Sequence, residues 1–291
     1  MNLCIPLVCS VVALAAAVRS TWSPCGLSML STITPISERA KGHSYRATSA
    51  WFVAGATVGG ASLGLLMAVS ALAVGDLQLS GPATGAVALA AILVATVSDA
   101  GVAGFRLPFH RRQVNERWLD QFRPSVYGVG FGWQIGSGLA TYITTAAVYL
   151  MIVLGALTGR PLVAFSVGVG FGVLRGTAVL LTRRVTDPSG LRAFHRRFFE
   201  VGPTVGRVVV VVELGVAVLI ALWLGSPVAV AVAVAVAVAV AGAVAVALGA
   251  APVWRSRSSG RVQDARACPV STGDGHPREA LASIKDSHLP G

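Results

Sequence analysis

The run Trp22-Ser23-Pro24-Cys25-Gly26-Leu27 sets a thiol beside a proline, three residues after a tryptophan, inside a long apolar stretch. Proline removes a backbone donor and opens a helix, so Cys25 is expected on irregular backbone. Lipid tolerates such backbone only where protein or a water-filled cavity surrounds it. The chemistry a thiol offers there is thiol-disulfide exchange. A second stretch, Phe131-Gly132-Trp133-Gln134-Ile135-Gly136-Ser137-Gly138-Leu139, repeats the offset from tryptophan, with Gly136 where a cysteine would fall. The pattern predicts two halves sharing one working thiol, with Trp22, Pro24, Trp133, Gln134, Gly136 and Ser137 marking the helix breaks and the cavity between them.

Two charges fall inside apolar stretches, Arg175 and Glu213. An ionic residue at the centre of a membrane helix costs about 2.5–3.5 kcal/mol, so a buried pair in which the two neutralise each other is the economical expectation. The sharper alternative makes Glu213 a proton or cation site. Arg19, just before the thiol, either raises the thiolate fraction of Cys25 or snorkels towards an interface. Four cysteines (Cys4, Cys9, Cys25, Cys268) form no CxxC and no His-Cys cluster, which argues against a zinc site or a disulfide framework. No cofactor or metal is expected, and redox work would fall on Cys25.

These side chains need a membrane to hold them. Mean hydropathy is +0.72, 54% of residues are hydrophobic and 12% charged, where a soluble domain carries roughly 25% charged residues. Crossing about 30 Å of hydrocarbon takes about 20 helical residues. Seven stretches meet that need, near residues 3–33, 49–75, 82–98, 126–157, 161–181, 207–224 and 227–251. The first and fourth are interrupted. The start, Met1-Asn2-Leu3-Cys4, lacks the positive charge of a signal peptide, so an uncleaved helix is expected.

The net charge of +11 lies between the apolar stretches and gives no reason to expect nucleic acid. Arg39, Lys41 and Arg46 fill the first connection, Arg106, Arg111, Arg112, Arg117 and Arg123 the third, and Arg183, Arg184, Arg192, Arg196 and Arg197 the fifth. The second, fourth and sixth carry Asp76, Arg160 and no charge. Positive charge gathers on the cytoplasmic side. This pattern predicts a multi-pass protein of the cell membrane with an outside amino terminus and a cytoplasmic tail.

Three spans on each side of the central basic loop make two halves of opposite orientation, since an odd number of crossings inverts the second copy. The expected fold class is all-α: a polytopic helix bundle with an inverted three-plus-three repeat and one further C-terminal span. Cys25 and Gly136 would face one another across its pseudo-two-fold axis. The expected organisation is a six-span domain over 1–225, an Ala/Val-rich seventh helix over 226–252 and a disordered cytoplasmic tail over 253–291. Val and Ala alternate from Val228 to Ala241, yet a lone strand would leave its backbone unpaired in lipid, so a helix is predicted.

Glycines four apart (Gly55 and Gly59, Gly60 and Gly64, then Gly128, Gly132 and Gly136, then Gly168, Gly172 and Gly176) read as close helix packing. Val114, Trp118 and Phe122 in the third connection, and Leu191, Phe194 and Phe198 in the fifth, read as amphipathic stretches at the inner membrane surface. His110 and His195 fall beside them and read as exposed surface histidines.

Ser23-Pro24-Cys25-Gly26-Leu27 resembles the first-helix motif of the CcdA family, the thiol-disulfide electron carriers of cytochrome c biogenesis, which are similar to the DsbD membrane domain. Ser28 replaces that motif's next proline. Phe131-Gly132-Trp133 is similar to the start of the family's fourth-helix motif, but Gln134, Ile135 and Gly136 stand where Thr, Pro and Cys are expected. The resemblance covers about 200 residues, spans one to six, and implies a reducing-equivalent carrier with Cys25 as redox thiol and a thioredoxin-like or other thiol protein as partner. A single thiol forms only mixed disulfides. Cys4 and Cys9 precede Cys25 by sixteen residues or more, some 24 Å along a helix at about 1.5 Å per residue, beyond disulfide reach. A conventional enzyme is not expected. The alternatives are a small-solute or metal-ion exporter, with Thr32, Thr34, Gln134, Ser137, Thr141, Thr144 and Thr145 as polar lining, or a non-catalytic membrane scaffold.

Overall fold

The computed structural model describes residues 4–108 and 122–249. Among the described residues there are ten α-helices and no strand: α1 (Cys4–Thr21), α2 (Pro24–Thr32), α3 (Pro35–Ala40), α4 (Tyr45–Asp76), α5 (Gly81–Ala100), α6 (Pro124–Ser137), α7 (Ala147–Leu157), α8 (Pro161–Thr177), α9 (Pro188–Leu224) and α10 (Pro227–Gly249). The basic stretch with His110, Arg111, Arg112, Val114, Arg117 and Trp118, and the tail with Cys268, lie outside the described residues.

Local chemistry sets the boundaries. Proline occupies one of the first two positions of seven helices, where its missing N–H leaves no bond unmade. Ser23, Thr34, Ser80 and Asp187 cap the next turn by accepting backbone N–H bonds. Five helices are long and apolar enough to cross a membrane: α1, α4, α5, α9, and α8 with the short 3-10 turn that continues it to Thr182. The fourth expected span is instead two short helices, α6 and α7, joined by irregular backbone. The Val/Ala run forms a helix, as the unpaired-backbone argument requires.

The packing repeats between the halves. With α1 and α2, α4, and α5 as spans one to three, and α6 with α7, α8, and α9 as spans four to six, α1 packs on α7, α4 on α8 and α5 on α9. The contact of α4 with α6 and α7 has its image in α1 on α8, and that of α5 with α7 in α1 on α9. Exchanging the halves maps each of these contacts onto itself or another, as an inverted three-plus-three repeat requires. The chain through Val244 forms one compact unit; of a second, Ala245–Gly291, only the helical residues to Gly249 are described.

The glycine rows do the packing predicted for them. A Cβ added at Gly55 or Gly59 of α4 would overlap backbone of α6, and one at Gly60 or Gly64 would overlap α8. From the other side, Gly132 and Gly136 lie against the Phe52 and Ala56 carbonyls, and Gly168 and Gly172 against Gly64 and Gly60. Lipid tails are as apolar as leucine, so helices in a bilayer gain from close van der Waals contact rather than from burial. Backbone-to-backbone approach on both flanks makes α4 a rigid centre held between the broken fourth span, through α6, and the fifth span, α8.

Candidate functional site

The first break lies between α1 and α2. Ser23 is extended (φ −86°, ψ 159°) and its Oγ accepts the Gly26 N–H at 3.1 Å, which starts α2 cleanly after the interruption. Trp22 closes the outer side. Its Nε1 donates to the Phe198 carbonyl at 2.8 Å, and its ring stacks on Phe198 at 4.7 Å between centroids and 9° between planes. Cys25 is 2% exposed, in an apolar cluster with Met29, Leu30, Phe52, Phe131 and Ile135.

At the second break α6 ends on Gly138, whose φ of +68° turns the chain out of the helix. The next helix, α7, takes its cap from another span. Asp99, at the end of α5, accepts the Ala146 N–H at 2.6 Å and a very short bond from the Thr145 hydroxyl, and Thr145 Oγ1 accepts the Ala147 N–H at 3.2 Å. A carboxylate meeting the unpaired amides and positive dipole end of a helix is a favourable arrangement.

Arg175 of α8 joins the two breaks. Its guanidinium is 2% exposed, donates to the Ile135 carbonyl at 2.6 Å and to the Ser20 carbonyl at 3.4 Å, and lies 5.7 Å from the centre of the Phe171 ring. Ser20 and Ile135 each lie two or three residues before an interruption, where the α-helical bond from four residues on is lost and a tighter one from the amide three residues on, at 3.2 Å in both cases, leaves acceptor capacity for Arg175. One cation therefore serves the C-terminal ends of both half-helices. It also stands within electrostatic reach of Cys25.

Beside the first break lies a cavity of about 910 Å³ whose lining includes Arg19, Trp22, Pro24, Asp99, Phe198 and Arg207, and to which α10 contributes Ala237, Val240 and Ala241. A smaller hollow of about 120 Å³ adjoins the same charges, between Arg19, Ser98, Asp99, Arg106, Thr144 and Gly206. Most of the larger wall is apolar, with Leu27, Val210, Leu214 and Val240 among the aliphatic groups. Arg19 and Arg207 give it a positive bias, because Asp99 is already committed to the α7 terminus.

Several expectations meet a different arrangement. Arg175 and Glu213 do not pair: the guanidinium is taken by two carbonyls, and both Glu213 oxygens are buried with no hydrogen-bond partner among the described residues. Arg19 lines the cavity and interacts with Asp99, and Arg175 is a cation near Cys25. Gly136 does not face Cys25; it packs on Ala56, and its neighbour Ile135 enters the Cys25 cluster. Trp133 is 42% exposed and donates to Ser62 on the bundle's periphery, and Ser137 donates to the Gln134 carbonyl, so these three do not line the cavity as Trp22 and Pro24 do. The Phe194 and Phe198 stretch covers Trp22 instead of lying free at a surface, and His195 Nε2 sits 3.0 Å from the Ser31 hydroxyl. Thr144 and Thr145 do gather at the second break, with Thr141 Oγ1 and Thr144 Oγ1 buried and without partners among the described residues.

Sequence reasoning passed over Asp99 and Glu38. Asp99 follows directly on an apolar run, and a carboxylate there, next to a helix end, was the available signal. Glu38 sits in a connection read as basic; it is fully buried and accepts bonds from Tyr127 at 2.8 Å and Thr48 at 2.5 Å, fastening α3 to α4 and α6.

No family model matches the chain, and no solved structure matches it. Among curated proteins it is similar to methylamine utilization protein MauF of Methylophilus methylotrophus, 28% identical over 193 residues that make up 65% of this chain and 67% of the relative. The same-named protein of Paracoccus versutus is 32% identical over 162 residues, 54% of this chain and 57% of the relative. That of Paracoccus denitrificans is 32% identical over 153 residues, 51% and 53% respectively. The chain thus spans from about half to two thirds of the length of the curated relatives it matches.

Proposed function

We propose that the chain is a MauF-like membrane carrier, built on a scaffold similar to that of the CcdA and DsbD family, in which the second redox thiol has given way to a charged cavity. Its cargo is a small solute with an anionic group and an apolar body. The observation that carries this reading is the cavity of about 910 Å³ between α1, α5 and α9, apolar over most of its wall and charged by Arg19, Asp99 and Arg207. Cavities of this size and composition hold small molecules by apolar contact and orient them by a few polar groups. Two guanidinium groups against one engaged carboxylate favour an anion.

The inverted repeat supplies the motion. Two three-span halves meeting at interrupted helices can rock about a fixed site and expose it to each side in turn. With the amino terminus outside and the basic connections in the cytoplasm of a cell-membrane protein, the cavity opens in the cytoplasmic half. The relatives are named for methylamine utilization, which supports a role for this traffic in that setting. The test is uptake of octanesulfonate, a permanent anion with an apolar chain, into proteoliposomes. Uptake above that of empty liposomes, lost in Arg19→Gln and Arg207→Gln, is expected; equal uptake in the variants, or none in the wild type, overturns the reading.

A second reading, thiol exchange with a thioredoxin-like partner, is favoured by one observation: Cys25 stands within electrostatic reach of Arg175. The thiolate would attack a partner disulfide, forming a mixed disulfide and releasing the partner's other sulfur as thiolate. Trapping that adduct with the wild type and losing it in Cys25→Ser would support it, whereas wild-type uptake of octanesulfonate preserved in Cys25→Ser with no adduct would remove it.

A further inference from the structure

Glu213 lies on the inward face of α9 with Val209, Val210, Val216 and Ala217, and it is 0% exposed. Neither of its carboxyl oxygens has a hydrogen-bond partner among the described residues. A buried carboxylate with no donor is far costlier than the neutral acid, which has only one polar hydrogen to place. An acidic residue in the core of a membrane bundle, unsupported by any structural bond, marks an ion or proton route by default.

The surrounding charges give that route a direction. From α5, which packs on α9, Asp99 shares the cavity wall with Val210 and Leu214, three residues before and one after Glu213. From α1, Arg19 acts on Asp99 and packs against Gly206 of α9, seven residues before Glu213 on the same helical face. That is about 10 Å along the helix at about 1.5 Å per residue. The other titratable groups of α1 are Cys4 and Cys9, of which Cys9 donates to the Met151 carbonyl. The helix α7 brings no charge, only Tyr149, with Thr144 and Thr145 just ahead of it. No titratable side chain comes from α10, and from α9 itself Arg207 stands at the cavity wall. Asp99 borders both the large cavity and the small hollow.

We propose that Glu213 binds an exchangeable proton, which reaches it from the cavity by way of Asp99. In the loaded state Glu213 is a neutral acid. On release the proton passes from the Glu213 carboxyl to the Asp99 carboxylate and on to water in the cavity, no electron changes hands, and the anionic charge left behind is balanced through Arg19. The site deepens the carrier reading, because proton release and solute entry would share one cavity, and that reading alone gives it a use.

Infrared difference spectroscopy on the full chain in lipid nanodiscs tests the site without any solute. The wild type is expected to show a protonated-carboxyl C=O band at neutral pH that disappears in Glu213→Gln, persists at a shifted position in Glu213→Asp, and shifts on transfer to heavy water. Asp99→Asn, which keeps an acceptor for the Ala146 amide, should leave the band in place and slow its isotope shift several-fold. Absence of the band from the wild type, its survival in Glu213→Gln, or an equally fast isotope shift in Asp99→Asn overturns the proposal. A normal band and slowed exchange together with no octanesulfonate uptake would sink the carrier reading and leave the proton site standing.

Discussion

The Arg175 guanidinium donates to the Ile135 carbonyl at 2.6 Å, reaching from α8 to the end of a broken helix in another span. The same side chain also reaches the Ser20 carbonyl at the end of α1, so both interruptions share one donor. Each carbonyl keeps one backbone bond, from the amide three residues on at 3.2 Å, and the cation takes its remaining acceptor capacity, which makes Arg175 a tie between the two breaks rather than half of an ion pair.

Arg175→Ala should therefore loosen both breaks at once. Hydrogen bonds to charged groups contribute about 1.5–3 kcal/mol each, and the longer contact lies at the weak end, so a loss of about 2–4 kcal/mol is expected. Arg175→Lys should recover only part of it, since its three donors share one nitrogen, whereas the guanidinium reaches the two carbonyls from two separate nitrogens. Unfolding of the purified protein in mild detergent, followed by far-ultraviolet circular dichroism, gives the comparison; equal stability of Arg175→Ala and wild type would refute the shared-donor role.

Gly136→Ala should part α4 from α6, because its Cβ would overlap the Ala56 carbonyl, an atom of rigid backbone. Overpacking of this kind costs about 1–3 kcal/mol. Gly170→Ala, on α8, meets open space within 4 Å and should be neutral or gain up to about 1 kcal/mol from helix propensity. The contrast between two chemically identical substitutions, read by unfolding midpoints, separates packing from propensity.

The helical class, the interrupted first and fourth spans and the glycine seams were all legible in the sequence, because a bilayer leaves the backbone few choices and glycine spacing maps directly onto a helix face. The partners of the charges were not. Depth along antiparallel spans placed Arg175 and Glu213 at a similar level, but it could not show that the ends of two interrupted helices would each offer Arg175 a carbonyl with acceptor capacity to spare. Similarly, the tryptophan offset aligned Gly136 with Cys25 in register, whereas the α4 backbone claims the glycine face and turns Ile135 towards the thiol. Asp99 escaped notice because its role, capping α7 from another span, depends on a tertiary contact that no local pattern encodes.

At the exposed start of α9 the Ser189 hydroxyl, followed by the Gly190 amide, holds the Asp187 carboxyl below its usual range. A depressed folded-state value means the cap stabilises the first turn at pH above the ordinary carboxylate range and is lost as pH falls through the lowered value. Amide exchange at Gly190 should accordingly accelerate in acid beyond the intrinsic pH trend. In Asp187→Asn, which still accepts the bond but does not titrate, that extra acceleration should vanish; an unchanged acid response would show that Asp187 is not its source.

The shielding of Cys25 makes a prediction that bears on the thiol reading. Trp22 and Phe198 stack directly over the first break, and the thiol behind them is 2% exposed. Reaction requires an accessible thiolate, so a small membrane-permeant maleimide should label Cys25 slowly in the wild type, measured by peptide mass spectrometry with Cys4 as the internal reference. Phe198→Ala removes the stacking partner and leaves the Trp22 indole bonded to a main-chain carbonyl, which should open the break without unfolding α1. Labelling of Cys25 should then rise several-fold relative to Cys4. If Cys25 in the wild type already reacts as fast as Cys4, the aromatic cover opens freely in the membrane, and a partner's disulfide would gain access to the sulfur that this packing otherwise denies it.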